Sequence, residues 1–295
     1  MVMKNVSIIG GGVLGSQIAF QCAFFDCNVI MYARSEASVK RMQEKLAKLV
    51  PIYGAYFNNP EKAQTAHDAI QISMDLNTVL NDSDVMIESI AENLEAKQAL
   101  YSSIQGIAPE KTIFLTNSST MMPSTFRNFT DRPDRFLALH FANSIWQNNI
   151  AEVMSHDSTD PKYNQIVMDF AKQINMVPIL VKKEQPGYIL NSLLVPLLQS
   201  AELLYANGVG DVETIDRTWM IATGAPLGPF AMLDVIGLTT AYNISLQAAQ
   251  VNPKLKVVSD MLKEYIDAGK LGVATGEGFY QYPDPRYKAS DFLKG

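Results

Sequence analysis

The chain has 295 residues, 47% of them hydrophobic and 18% charged, which is enough for two domains of ordinary size with separate cores. Its net charge of −6, without a Lys/Arg block, excludes an electrostatic footprint for nucleic acid, so any phosphate recognition must be local. The two cysteines, Cys22 and Cys27, lie close together in an apolar region and fit neither a disulfide framework nor a zinc site, and no metal is expected.

The first predicted strand, VSIIG, runs into Gly10-Gly11-Gly12-Val13-Leu14-Gly15 and then the helical pattern SQIAFQCAFF. Gly10 permits a tight turn, Gly12 lets backbone approach a pyrophosphate, and Gly15 lets the helix pack on the strand. A glycine-rich loop alone is a weak signal; the strand before it and the helix after it make it a dinucleotide site. The N-terminal run is interrupted by these glycines and lacks a cleavage pattern, while Gln21, Asp26 and Asn28 break up the best stretch for a membrane span. A soluble, cytoplasmic protein without a membrane partner is expected.

The second strand, NVIMYA, ends in Ala33-Arg34-Ser35 where a site for NAD normally has an Asp or Glu that accepts from the ribose 2′-OH. A carboxylate would repel a 2′-phosphate; Ala33 leaves room, Arg34 supplies a guanidinium and Ser35 a hydroxyl. NADP is the preferred cofactor on this reading, and NAD remains possible if Glu36 serves the ribose. Further strands, DVMIESI, TIFLTN, RFLALHF, IAEVM and VPILVK, continue the near-continuous apolar runs of a parallel sheet covered on both faces. RFLALHF and IAEVM are too close for a helical crossover, so that end of the sheet is expected to be mixed or antiparallel.

His140 ends RFLALHF, where strands of an open sheet face the ligand crevice, and Glu152 lies in the otherwise apolar IAEVM, where a buried carboxylate needs a partner such as an imidazole. A lone strand-end His is as readily a satisfied core residue. His67 beside Asp68 and His156 beside Asp157 read as surface residues. After Gln185-Pro186-Gly187 the strand vocabulary stops, and helical patterns run through Tyr188–Tyr205, Ile215–Ala222, Phe230–Asp234 and Val257–Ala268. The expected division is a dinucleotide-binding domain over residues 1–184 and a helical substrate and dimerisation domain over 185–295.

Taken in order, GGGVLG, AENLEAK, FLTNSST, LHFAN with AEVM, PGYILNSLLVP, GAPLGPF and TGEGFYQY resemble the L-3-hydroxyacyl-CoA dehydrogenase family over nearly the whole chain. The resemblance implies an α/β fold, a Rossmann-type doubly wound, mostly parallel sheet followed by a smaller all-α domain, and a homodimer. It implies an oxidoreductase acting on a short-chain (3S)-3-hydroxyacyl-CoA and its 3-oxoacyl-CoA. By resemblance His140 is the general base, Glu152 orients it, and Ser119 and Asn191 hydrogen-bond the substrate oxygens; the last two are equally at home as caps or turn formers. Glu92, Lys97 and Asn143 match positions lining the nicotinamide half of the cofactor site, with Asn117 in the same set. Arg41, Lys45 and Lys48, at helical spacing, match a region that reaches the nucleotide end of coenzyme A, although a solvated helix face with Glu44 nearby gives the same pattern.

Departures from the family pattern bear on substrate. The family's HFFNP reads His140-Phe141-Ala142-Asn143-Ser144 here, Ser192 stands where an Arg is common, and Ala274 where a Lys is usual. Trp146 and Gln147, just beyond, are expected to narrow or repolarise the pocket. A dehydrogenase of a free hydroxy acid, sugar-acid or carnitine-like, and a cofactor-binding protein without catalysis are the competing functions.

Overall fold

A computed structural model describes residues 2–294, which fall into two compact units that divide between Ile189 and Leu190. In the first unit the elements run β1 (Asn5–Ile9), α1 (Val13–Phe24), β2 (Asn28–Tyr32), α2 (Glu36–Tyr56), α3 (Pro60–Ala69), β3 (Gln71–Ser73), α4 (Leu76–Leu80), β4 (Val85–Glu88), α5 (Leu94–Ser103), β5 (Ile113–Thr116), β6 (Phe136–Phe141), β7 (Ile150–Ser155), α6 (Lys162–Gln173) and β8 (Val177–Val181). The strands form one sheet in the order β3-β2-β1-β4-β5-β6-β7-β8, parallel except where β6 meets β7. All residues of β4, β5 and β6 are buried, which is why these strands read as unbroken apolar runs. The doubly wound reading and the antiparallel step are both borne out. The short β3 was not legible as a strand.

Strand order reverses between β1 and β4, so the loop after β1 opens at the carboxyl edge where such sheets bind ligands. Helix α1 is buried from Gly15 to Phe24, and its polar Gln21 is satisfied there by the Ile174 carbonyl at 2.7 Å and the Tyr53 hydroxyl at 2.6 Å. Beside it α2 buries Met42, Leu46 and Leu49 at helical spacing and adds Tyr53 to a cluster of rings with Phe20, Phe24, Phe57 and Trp146.

The second unit is helical. Helix α7 (Tyr188–Ala206) crosses the border between the units and is followed by α8 (Val212–Thr223), α9 (Pro229–Ile236), α10 (Leu238–Val251) and α11 (Lys256–Asp267). Of these α10 was missed by the sequence reading, its apolar spacing being irregular. By length and composition α7 is apolar enough to cross a membrane, and it carries Asn191, Pro196 and Glu202 along its length.

Two buried carboxylates hold this unit together. Asp216 accepts from the first N–H groups of α9, Phe230 N at 2.8 Å and Ala231 N at 3.0 Å, and from the Tyr280 hydroxyl at 3.0 Å. Asp234 accepts from Phe279 N, Tyr280 N and the Tyr282 hydroxyl at 2.8, 2.9 and 2.9 Å. A Cβ on Gly228 would meet Asp216 Cγ at 2.2 Å, and one on Gly278 would meet Asp234 Oδ1 at 2.0 Å. The second glycine of GAPLGPF and of TGEGFYQY, Gly228 and Gly278, is therefore needed to let backbone close on a carboxylate. Their role is structural.

Candidate active site

The glycine loop fits a dinucleotide by a physical test. Gly10 has φ +116° and a Cβ there would lie 2.3 Å from the Ser89 carbonyl oxygen; a Cβ on Gly15 would lie 2.0 Å from the Gly10 oxygen, so these two glycines serve the turn and the close approach of helix to strand. Gly12 differs: a Cβ there would meet nothing within 4 Å, so no contact within the protein demands a glycine. It stands at the N-cap of α1, whose N-terminus has neither a side-chain cap nor an acidic residue in its first turn, and Gly12 and Val13 are exposed while Leu14 is half-buried. Open space, free N–H groups and the positive end of a helix are what a pyrophosphate requires. At the end of β2, Ala33 is fully buried, Arg34 is exposed, and the Ser35 hydroxyl caps α2 by accepting from Ser38 N at 3.3 Å.

On the neighbouring strands, register makes the proton relay. β6 and β7 pair with His140 directly opposite Glu152, so both side chains stand on one face of the sheet; a slip of one residue would put Glu152 on the other. His140 Nδ1 lies 3.0 Å from Glu152 Oε2, and Nε2 lies 3.2 Å from Ser119 Oγ. An ionised carboxylate only accepts, so Nδ1 carries the proton and Nε2 presents its lone pair. The other Glu152 oxygen accepts from Ile189 N at 2.9 Å. Over the imidazole lies Tyr188, its ring stacked at 4.4 Å and 11°, its hydroxyl donating to the Ser118 carbonyl at 2.8 Å. Tyr188 has φ +55°, directly after Gly187 at φ +80°. This left-handed pair folds the chain back over His140.

A second charged group lies between β4 and β5. Glu88, fully buried, accepts at Oε1 from Lys97 Nζ (2.6 Å) and Ile90 N (2.8 Å), and at Oε2 from Tyr101 (3.0 Å) and Thr116 (2.8 Å). Lys97 also reaches Glu92 Oε2 at 3.3 Å. Partial burial works to raise the Glu92 carboxyl, but the Ser118 hydroxyl at 2.5 Å, the Thr120 amide and Lys97 prevail and hold it below the usual carboxylate range. Asn117 accepts from Phe141 N at 3.1 Å and donates to Ser89 at 3.3 Å, tying β4, β5 and β6 together at their carboxyl ends.

Residues 5–185 match the family model described as 3-hydroxyacyl-CoA dehydrogenase, NAD binding domain, and residues 187–282 match 3-hydroxyacyl-CoA dehydrogenase, C-terminal domain. The chain belongs to the 3-hydroxyacyl-CoA dehydrogenase family. It is similar to the mitochondrial hydroxyacyl-coenzyme A dehydrogenase of Sus scrofa, 33% identical over 96% of this chain and 92% of the relative. It is also similar to the 3-hydroxybutyryl-CoA dehydrogenase of Clostridioides difficile, 29% identical over 94% and 99%. Among solved structures a diketoreductase is 49% identical with a TM-score of 0.91, covering 96% of this chain and 100% of the other. The (S)-3-hydroxybutyryl-CoA dehydrogenase of Ralstonia eutropha is 28% identical with a TM-score of 0.81 over the same shares. This member of the 3-hydroxyacyl-CoA dehydrogenase family is thus an oxidoreductase that uses a nicotinamide cofactor.

Of the residues expected in the site of a 3-hydroxyacyl-CoA dehydrogenase, the structure brings Ser119, His140 and Glu152 into one chain of contacts; Asn117 directly follows β5, Glu92 lies in the loop between β4 and α5, and Lys97 is on α5. Lys97 is only 1% exposed, whereas Glu92 is exposed and Asn143 stands in an exposed loop. Asn191 belongs to the second unit, on the first turns of α7.

One expectation is corrected. His156 is buried, not on the surface: its ring lies tilted against Phe136 at 6.2 Å, and its Nδ1 accepts from Ser158 N at 3.2 Å. Trp146 packs on Tyr53 within the ring cluster, and the loop that lost its proline is held by Gln17 Oε1, which accepts from Ser144 N at 2.9 Å. Along α2, Lys45 Nζ donates to the Gly11 carbonyl at 2.8 Å and Arg41 donates to Ser38 Oγ at 3.0 Å, while Arg41 and Lys48 are both exposed. The sequence reading missed Tyr188 and Glu88. Glu88 carried the signal used for Glu152, a carboxylate in an apolar strand; Tyr188 carried only its place after Pro-Gly.

Proposed function

We propose that this enzyme interconverts a short (3S)-3-hydroxyacyl-CoA and its 3-oxoacyl-CoA with NADP(H). The observation that carries the reaction class is the Ser119–His140–Glu152 relay at the carboxyl edge of the sheet. The cofactor, held by the loop from Gly10 to Gly15 and the strand end Ala33 to Ser35, supplies the hydride acceptor or donor when bound. In oxidation His140 Nε2 takes the proton of the C3 hydroxyl, and Glu152 faces the imidazolium that forms; in reduction the same nitrogen returns it. The Ser119 hydroxyl, now on Nε2, is free to turn to the substrate oxygen and polarise a C3 carbonyl. Tyr188 covers one face of the imidazole and keeps water from it.

A second reading, reduction of a free dicarbonyl compound, is supported by the similarity to a diketoreductase and by Lys45, whose ammonium is bound at the glycine loop and not offered to a CoA phosphate. Steady-state assays with acetoacetyl-CoA and with a free diketone, each with NADPH and NADH, separate the two. Higher kcat/KM on the free diketone would replace the CoA reading, and better use of NADH than NADPH would overturn the reading of Ala33-Arg34-Ser35.

A further inference from the structure

The first turns of α2 lie against the glycine loop. A Cβ on Gly11 would fall 2.2 Å from carbons of the Met42 side chain, and Lys45 Nζ reaches the Gly11 carbonyl. Arg41, next to Met42, therefore leaves the helix near the loop that approaches the cofactor. Its guanidinium runs back along the helix, the direction helical side chains take, to donate to Ser38 Oγ at 3.0 Å. Ser38 Oγ is in turn 3.0 Å from Ser35 Oγ, directly after the exposed Arg34. The end of β2 thus carries an exposed Arg34 beside a buried alanine that offers no carboxylate, and the Arg41 guanidinium is linked back to it through the Ser38 and Ser35 hydroxyls, against two exposed acids on the same helix, Glu36 and Glu44.

We infer that Arg41, aimed by Ser38, is a second guanidinium for a ribose phosphomonoester, and that this phosphate is the 2′-phosphate of NADP. The inference rests on the NADP reading above. Coenzyme A carries a chemically similar group, the 3′-phosphate of its ribose, and the sequence pattern of α2 had pointed there. The geometry favours the dinucleotide, because the helix that carries Arg41 is tied to Gly11 and its side chain runs toward the strand end where a ribose is bound in such folds. Two guanidiniums suit the charge and the several acceptor oxygens of a phosphomonoester better than one.

The test uses nucleotide fragments on the full chain: calorimetric titration with 2′,5′-ADP, 3′,5′-ADP and 5′-AMP, for the wild type and for Arg41→Gln and Arg34→Gln. Wild type should bind 2′,5′-ADP at least about tenfold more tightly than 5′-AMP, and Arg41→Gln should remove roughly tenfold of 2′,5′-ADP affinity while leaving 5′-AMP unchanged, as loss of one charge-assisted contact implies. Unchanged 5′-AMP binding also certifies the fold of the variant. If Arg34→Gln abolishes the preference and Arg41→Gln does not, Arg41 is not a reader although the NADP reading stands. If the wild type shows no preference for 2′,5′-ADP, the NADP reading fails and this inference with it. A loss confined to 3′,5′-ADP, or equal for all three ligands, overturns the assignment of Arg41 to the 2′-phosphate.

Discussion

A neutral imidazole has one nitrogen that gives a proton and one that takes it, and at His140 Glu152 makes the assignment. His140→Gln should therefore lower kcat about a hundredfold or more, the usual worth of a positioned general base, with cofactor affinity by fluorescence titration unchanged. Glu152→Gln keeps the shape and removes the charge that faces the imidazolium, so the same step should suffer; near-normal turnover in both variants would take the pair out of the mechanism. Tyr188 is a positioning residue and is read differently. Tyr188→Phe keeps the ring over His140 and should stay near wild type, whereas Tyr188→Leu loses the stack and should lower kcat by about 2- to 10-fold, the range of aromatic pair energies, without raising KM for the cofactor. A Leu variant as fast as the Phe variant would show that the ring does not set the imidazole. The positive φ of Tyr188 is unchanged by either substitution, so backbone strain does not confuse the comparison.

At the scale of elements, the glycine loop separates two demands that one motif hides. Gly15→Ala forces a Cβ against the Gly10 carbonyl, backbone against backbone, and should lower the melting temperature and cofactor affinity together. Gly12→Ala meets no protein atom within 4 Å and should leave the melting temperature nearly unchanged while cofactor affinity falls, because the open space is where a pyrophosphate approaches. Thermal melts with and without NADPH read both, and a Gly12→Ala protein that binds NADPH normally would remove this loop from the phosphate site. Strands β1, β4, β5 and β6 were legible because burial on both faces makes them continuous apolar runs, and so was the loop between β1 and α1. The pairing of His140 with Glu152 was legible only as a need, a carboxylate wanting a partner; the register that meets it depends on which strands are neighbours, which no local pattern states. The direction of Arg41 and Lys45 was not legible for the same reason: periodicity gives the face of a helix and not what lies beside that face.

For the chain as a whole, the two units rest on different chemistry, and pH should distinguish them. The second unit buries Asp216, Asp234 and Glu202, and burial raises all three carboxyls, Glu202 from an ordinary 4.5 to about 8. The aspartates are offset by backbone N–H and tyrosine donors, whereas Glu202 Oε1 on α7 has no hydrogen-bond partner. A carboxyl whose value is raised on folding holds its proton in the native state after the unfolded chain has lost it. Its stabilisation is therefore complete below about 4.5 and declines as pH rises through the window to about 8, with a slope of at most about 1.4 kcal/mol per pH unit. Glu202→Gln copies the protonated form and carries no charge at any pH. Denaturant midpoints measured from pH 5 to 9 should show wild type losing stability relative to the Gln variant across that window, the two nearly equal at pH 5 and the variant more stable at pH 9. A stability difference that does not change between pH 5 and 9 would mean that the Glu202 carboxylate finds solvent or a partner when it ionises, and that α7 does not hold it in an apolar setting.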